Sequence, residues 1–314
     1  MSGGVADAPF RADLAEGPAG GRAEWLRTAD GVRIRIALWP AGQKGTVLLF
    51  PGRTEHAEKY GRAAADLAAR GYGCVAIDWR GQGMADHVPA DPMVGHVQDF
   101  AEYQRDLDAV MARLSALDLP RPLYLVAHSM GGCIGLRALM RGLPVRAAAF
   151  SAPMWGIHMA AWMRPVAQVL AQMSVWTRQA HRYAPTTGGQ SYLLANPFQG
   201  NVLTTDPDMW AYMRRQVQEE PAFRLGGPSM AWLRAALAEC DALMRAPSPD
   251  LPAICALGTA EKVVDVAPIH LRMARWPKGR LDLYPAAEHE VMMETPALRG
   301  RFFDDAAALF AANP

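Results

Sequence analysis

The chain has 314 residues, 51% of them apolar and 20% charged, with a formal net charge of +1 at pH 7. That length can bury a sizeable core and allows either one domain with an insertion or two domains. The near-neutral charge speaks against a nucleic-acid partner or a polyanionic substrate, and no run approaches the ~20 apolar residues that span a bilayer.

In chain order, residues 1–21 scatter Asp7, Arg11, Asp13 and Glu16 among Gly, Ala and Pro. They lack the apolar run of a signal peptide and are predicted to form a flexible leader. Residues 32–39 (VRIRIALW) alternate and predict a strand with one wet face, stopped by Pro40, Gly42 and Gly45. Residues 46–50 (TVLLF) are continuously apolar, as a central strand buried on both sides requires. Pro51 and Gly52 end it, a polar loop from Arg53 to His56 follows, and a helix is expected over 59–70. Residues 73–78 (GCVAID) read as another buried strand, leading into the glycine-rich WRGQG. Residues 99–117 place Phe100, Tyr103, Leu107, Val110, Met111 and Leu114 at helical spacing.

Residues 123–132 (LYLVAHSMGG) combine a buried strand, a tight run of small residues and a helix from Cys133 to Leu139. That is the setting of a nucleophile elbow, in which a strained turn lifts a serine, here Ser129, clear of the sheet. The usual pattern is G-x-S-x-G. Here Ala127 stands first and Gly131 last. Residues 145–151 give one more strand, and then the alternation breaks.

From 153 to 249 only helices are expected, over 159–183, 206–220 and 229–245. Five of the nine tryptophans lie there (Trp155, Trp162, Trp176, Trp210, Trp232), with many of the methionines. Strands at 252–258 and 280–284 and helices at 266–276 and 296–312 then resume the pattern. The predicted class is α/β: a mostly parallel sheet with helices on both faces and a helical insertion. Its parts are a leader (1–21), a core (22–152 and 250–314) and a helical cap (153–249) over the edge where strand carboxyl ends collect reacting groups. The cap's tryptophans and methionines suit an acyl chain or make the cap's own core. Arg164, Arg178, His181 and Arg182 are read as a solvated face, the other option being contact with a phosphate or lipid surface. Cys74, Cys133, Cys240 and Cys255 are widely spaced and read as free thiols in a reducing cytoplasm; no metal-ligand spacing occurs.

A serine hydroxyl needs a base and a group to orient that base. In a doubly wound hydrolase these follow in the order Ser, acid, His, the acid after a late strand and the histidine after the last. Glu261 lies in the loop after 252–258 and His289 in the loop after 280–284. Asp265 is the alternative acid. An oxyanion needs two donors. One is the Met130 amide; in the other loop Pro51 has no N–H and Gly52 permits close approach, leaving the Arg53 amide.

FPGRTEHAEKY, DWRGQG, AHSMGG, SAPMWGI, GTAEKVVD and EHEVMME together resemble the monoacylglycerol lipase and lysophospholipase branch of the α/β-hydrolase superfamily, also labelled serine aminopeptidase-like. The resemblance covers nearly all of residues 25–312. Where that family carries HGxxEHxxRY, GHSMGG and a triad Asp, this chain has Pro51, Ala127 and Glu261. The resemblance implies an α/β-hydrolase fold and an acyl-enzyme on Ser129, with Glu261 and His289 completing the triad and Arg53 and Met130 the oxyanion hole. It implies hydrolysis of the acyl ester of a lysophospholipid or monoacylglycerol, without cofactor or metal. Small soluble esters or amides, including aminopeptidase substrates, are the alternative substrates, and a catalytically silent binding protein is the alternative class. Transient contact of the cap with a membrane surface, and the oligomeric state, are left open.

Overall fold

The apolar run TVLLF becomes β4 (Thr46–Phe50), buried at every position, because its alternate side chains enter two different cores. Leu48 and Phe50 join one core and Val47 and Leu49 the other, as a strand between two helical layers requires. These features come from a computed structural model that describes residues 6–40, 42–87, 91–160 and 162–314; the side chains at 164, 165, 167 and 168 lie outside that description, and with them the reading of Arg164.

The remaining strands are β1 (Asp7–Ala8), β2 (Arg22–Arg27), β3 (Arg33–Trp39), β5 (Gly73–Asp78), β6 (Leu123–His128), β7 (Ala148–Ser151), β8 (Ala253–Gly258) and β9 (Gly279–Tyr284). They form one sheet in the order β1-β2-β3-β5-β4-β6-β7-β8-β9. Pairing is antiparallel from β1 through β3 to β5 and parallel from there to β9. The carboxyl ends of β4, β6, β8 and β9 therefore open on one edge, where Arg53, Ser129, Glu261 and His289 follow them.

On one face lie α3 (Ala101–Ser115), α4 (Ser129–Met140), α8 (Met230–Arg245) and α9 (Val266–Met273), through Leu107, Ile134, Trp232 and Ile269. On the other lie α2 (Gly61–Ala69), α7 (Pro207–Glu219) and α10 (Pro296–Ala311), through Leu67, Tyr212 and Phe303. The segment between β7 and β8 also holds α5 (Met163–Trp176) and the short α6 (Tyr192–Ala195). Trp155, Trp210 and Trp232 in that segment are buried, whereas Trp162 and Trp176 are 71% and 75% exposed.

Two sequence expectations are corrected. The flexible leader holds structure from residue 7: β1 pairs with β2, and α1 (Ala12–Ala15) buries Leu14 and Ala15. Four residues give no periodicity to read, but α7 supplies the partners. Its Gln216 amide donates to the Leu14 carbonyl and its Tyr212 hydroxyl to that of Ala15, both at 2.7 Å. The second is the wet face of residues 32–39. β3 is buried from Ile34 to Trp39, and Arg35 sits inside because Glu58 and Asp78 accept from its guanidinium.

Candidate active site

Ser129 is the first residue of α4, directly after β6, and holds φ at 48°, in the left-handed region that disfavours a side chain. The turn is tight enough that a methyl in place of Gly131 would stand 2.1 Å from the Phe50 carbonyl oxygen. At the position where glycine is customary, Ala127 is fully buried at the end of β6. The strain aims the Ser129 hydroxyl along the sheet edge, where His289 Nε2 lies 3.0 Å from Oγ.

His289 Nδ1 is 2.7 Å from Glu261 Oε2. The carboxylate can only accept, so it selects the tautomer with hydrogen on Nδ1 and leaves Nε2 to receive the serine proton. Glu261 is itself held: its Oε1 accepts from the amides of Val263 at 2.6 Å and Val264 at 3.0 Å. Burial pushes this carboxyl up, but the hydrogen bond and charge of His289, with the two amides, outweigh burial and keep its pKa below the ordinary 4.5. Asp265 takes no part in this row. Its carboxylate caps α9 by accepting from the Ala267 amide at 3.1 Å.

The segments that hold the two expected oxyanion donors meet at Ser129. Met130 lies in the first turn of α4, where amides lack an intrahelical acceptor. Across from it, a methyl at Gly52 would stand 3.0 Å from the Ser129 Cβ, so the 51–54 loop lies against the nucleophile. In that loop Gly52 N–H donates to Glu55 Oε2, and Thr54 N–H donates to Gln82 Oε1 at 3.1 Å. Pro51 has no N–H, and among the described residues the Arg53 amide has no acceptor.

Behind this loop stands a buried ionic cluster that sequence reasoning missed. Glu55 accepts from Gly52 N–H, from the Tyr60 hydroxyl and, at 2.7 Å, from the Lys59 ammonium. Lys59 also meets Glu290 Oε2 at 2.6 Å. Burial pushes Glu55 up, yet Lys59 and His128, with hydrogen bonds from Lys59 and Tyr60, hold it well below the usual carboxylate range. Burial also pushes His128, whose ring packs 4.7 Å from that of His289, down to about 3. Glu55, His128 and Glu290 bring ligand atoms within 4.8 Å of one another, but Lys59 already supplies a cation between the two carboxylates. Gln82 joins the loop from the WRGQG turn, donating to the Gly52 carbonyl at 2.9 Å. The sequence signal for this network was compositional: its Glu55, Lys59, Tyr60 and Glu290 lie in EHAEKY and EHE, stretches dense in ionisable residues. The histidine loop is steadied by Glu294, which accepts from the Glu288 amide at 2.8 Å and from Thr205.

A family model described as "Serine aminopeptidase, S33" matches residues 41–296. Lysophospholipase L2 of Escherichia coli (strain K12) is 33% identical over 281 residues, covering 86% of this chain and 82% of that protein. A probable lysophospholipase L2 of Haemophilus influenzae is 28% identical over 255 residues, 81% of this chain and 79% of that one. Two solved structures share the fold. A soluble variant of monoglyceride lipase from Saccharomyces cerevisiae, in complex with a substrate analog, superposes with a TM-score of 0.71 at 21% identity, covering 91% of this chain and 94% of that one. A thermostable carboxyl esterase from Bacillus coagulans reaches 0.73 at 13% identity, over 94% and 99%. With the family match spanning most of its length, the expected α/β-hydrolase fold on the page and a relative one-third identical, the chain belongs to the serine aminopeptidase S33 family of α/β-hydrolases.

Proposed function

We propose that the chain is a serine carboxylic-ester hydrolase that cleaves the acyl ester of a single-chain lipid, a lysophospholipid or a monoacylglycerol. The observation that carries this reading is the unbroken row from Ser129 Oγ to His289 to Glu261 at 3.0 and 2.7 Å. Ser129 attacks the ester carbonyl as His289 Nε2 takes its proton; the carbonyl oxygen becomes an oxyanion received by the amides of Met130 and Arg53. His289 then returns the proton to the departing alcohol. Water, deprotonated by the same nitrogen, releases the fatty acid from the acyl-enzyme. No step in this scheme draws on a cofactor. The lipid substrate class is supported by the lysophospholipase relatives, and by a monoacylglycerol lipase of Mycolicibacterium smegmatis that is 33% identical over 107 residues, 33% of this chain and 36% of that one.

We assign the segment between β7 and β8 to a cap over this edge, anchored by α7 and α8 on the two faces of the sheet, and its helix α5 to transient membrane contact. Trp162, Val166, Val169, Leu170, Met173 and Trp176 recur at helical spacing and are all exposed, an apolar stripe suited to an acyl-chain surface. Among the described residues no helix is long and apolar enough to cross a membrane. A cytoplasmic location belongs to the same proposal, supported by four free, buried cysteines.

A fluorophosphonate probe should label the wild type and not Ser129→Ala. An unlabelled wild type would favour the silent binding protein. Nitrophenyl esters of increasing chain length then separate the substrates: decanoyl preferred over acetyl is expected, and the reverse order would favour small soluble esters or amides.

A further inference from the structure

Arg53 lies in the loop whose Gly52 packs against Ser129, and two of its groups lack a full set of partners among the described residues: its amide, with no acceptor, and its guanidinium. The guanidinium is half-buried; Nη1 donates to the Gly226 carbonyl at 2.8 Å, and Cζ lies 5.6 Å from the centre of the Trp232 ring. No carboxylate among the described residues pairs with it. Arg35 is held by Glu58 and Asp78, and Arg80 by Asp30, Glu102 and Asp106; Arg272, buried without a carboxylate, instead donates from both Nη atoms to Ser248 and to the carbonyls of Leu243 and Ala246, whereas only Nη1 of Arg53 has an acceptor among the described residues. Glu55, two residues along, is turned away and saturated by Gly52, Lys59 and Tyr60. Burial accordingly pushes Arg53 down to about 10, opposed by the Tyr103 phenol and by no carboxylate. A cation partly withdrawn from water without a counter-ion is costly, and a ligand anion would reduce that cost.

We propose that the Arg53 guanidinium is the head-group anchor of the site and binds the phosphodiester of a lysophospholipid while the amide of the same residue faces the ester carbonyl. This deepens, and rests on, the ester-hydrolase reading above. The spans agree. An extended arginine carries its guanidinium roughly 6 Å from its own backbone, and the phosphorus of a 1-acyl lysophospholipid lies about 7 Å along the glycerol from the ester carbonyl. Nε and Nη2 have no protein partner among the described residues, so the planar fork that suits a phosphate is free. A monoacylglycerol ends in a neutral hydroxyl at that distance and leaves the charge unopposed.

The test compares 1-oleoyl-lysophosphatidylcholine with 1-oleoyl-glycerol in the same neutral-detergent micelles, on the wild type, Arg53→Gln and Arg53→Lys. The reading is the ratio of kcat/KM for the two esters, which cancels any disturbance of the backbone amide. Arg53→Gln should lower that ratio about tenfold or more, through KM for the phospholipid, with partial recovery in Arg53→Lys. Glycerophosphocholine should inhibit the wild type competitively and lose a similar factor in Arg53→Gln. Equal losses on both esters, or an unchanged ratio, overturn the proposal while leaving the hydrolase reading intact. If Arg53→Gln does not fold, the wild type decides: inhibition by glycerophosphocholine no stronger than by glycerol overturns it. A wild type inert toward both esters and unlabelled by fluorophosphonate sinks the hydrolase reading itself.

Discussion

Replacing Glu261 by glutamine changes one oxygen to an NH₂ group, and the loop determines which. The amides of Val263 and Val264 donate to Oε1 at 2.6 and 3.0 Å, so the remaining oxygen of the glutamine must stay there. The new NH₂ then faces His289 Nδ1, where an acceptor stood 2.7 Å away. A donor in that place requires Nδ1 to accept, which moves the imidazole proton to Nε2. Nε2 is the atom 3.0 Å from the serine hydroxyl, and once protonated it cannot act as base. The effect is a wrong tautomer in an otherwise intact site, for which kcat falls by about 10³ to 10⁴, roughly 4 to 5.5 kcal/mol of transition-state stabilisation. The assay is steady-state hydrolysis of a short-chain nitrophenyl ester, with thermal unfolding to show that the fold persists. Glu261→Ala should lose most activity as well, and Asp265→Ala should keep it, since Asp265 only caps α9. Glu261→Gln retaining more than a tenth of wild-type kcat, or Asp265→Ala falling by a thousandfold, would refute this assignment and move the acid to Asp265.

Three further outcomes follow from other contacts. Lys59→Met leaves Glu55 and Glu290 buried without their cation and should cost about 3 to 5 kcal/mol in urea unfolding, more than Lys262→Met at the surface. Glu55 is held below its ordinary 4.5 in the folded chain, so its contribution is fully present above that value and is lost as pH falls through the depressed one. Stability from pH 7 to 3 should therefore drop below about 4.5, and Glu55→Gln, less stable at neutral pH, should show a shallower drop; parallel curves would refute this. Trp162→Asp with Trp176→Asp should weaken cosedimentation with anionic vesicles several-fold while hydrolysis of nitrophenyl acetate stays unchanged, and equal sedimentation would separate α5 from membrane contact.

The amino-acid sequence by itself determined the sheet strands that are apolar throughout and the order in which serine, acid and histidine follow them. β4 and β6 are buried on both faces, and such strands show as continuous apolar runs too short for a helix and bounded by Gly and Pro. The elbow was legible for the same reason: a buried strand, small residues and a helix are consecutive in the chain. The choice between Glu261 and Asp265 was not legible, since both carboxylates fit the spacing and only the loop geometry turns one to His289 and the other to a helix cap. Tertiary structure alone brought Leu14 and Ala15 under α7, made Arg35 an interior residue and gathered Glu55, Lys59 and Glu290 behind the nucleophile. Each of these depends on partners far away in sequence. A charged side chain reads as solvent-facing until the fold supplies the opposite charge that makes its burial affordable, and no local pattern records where that partner comes from.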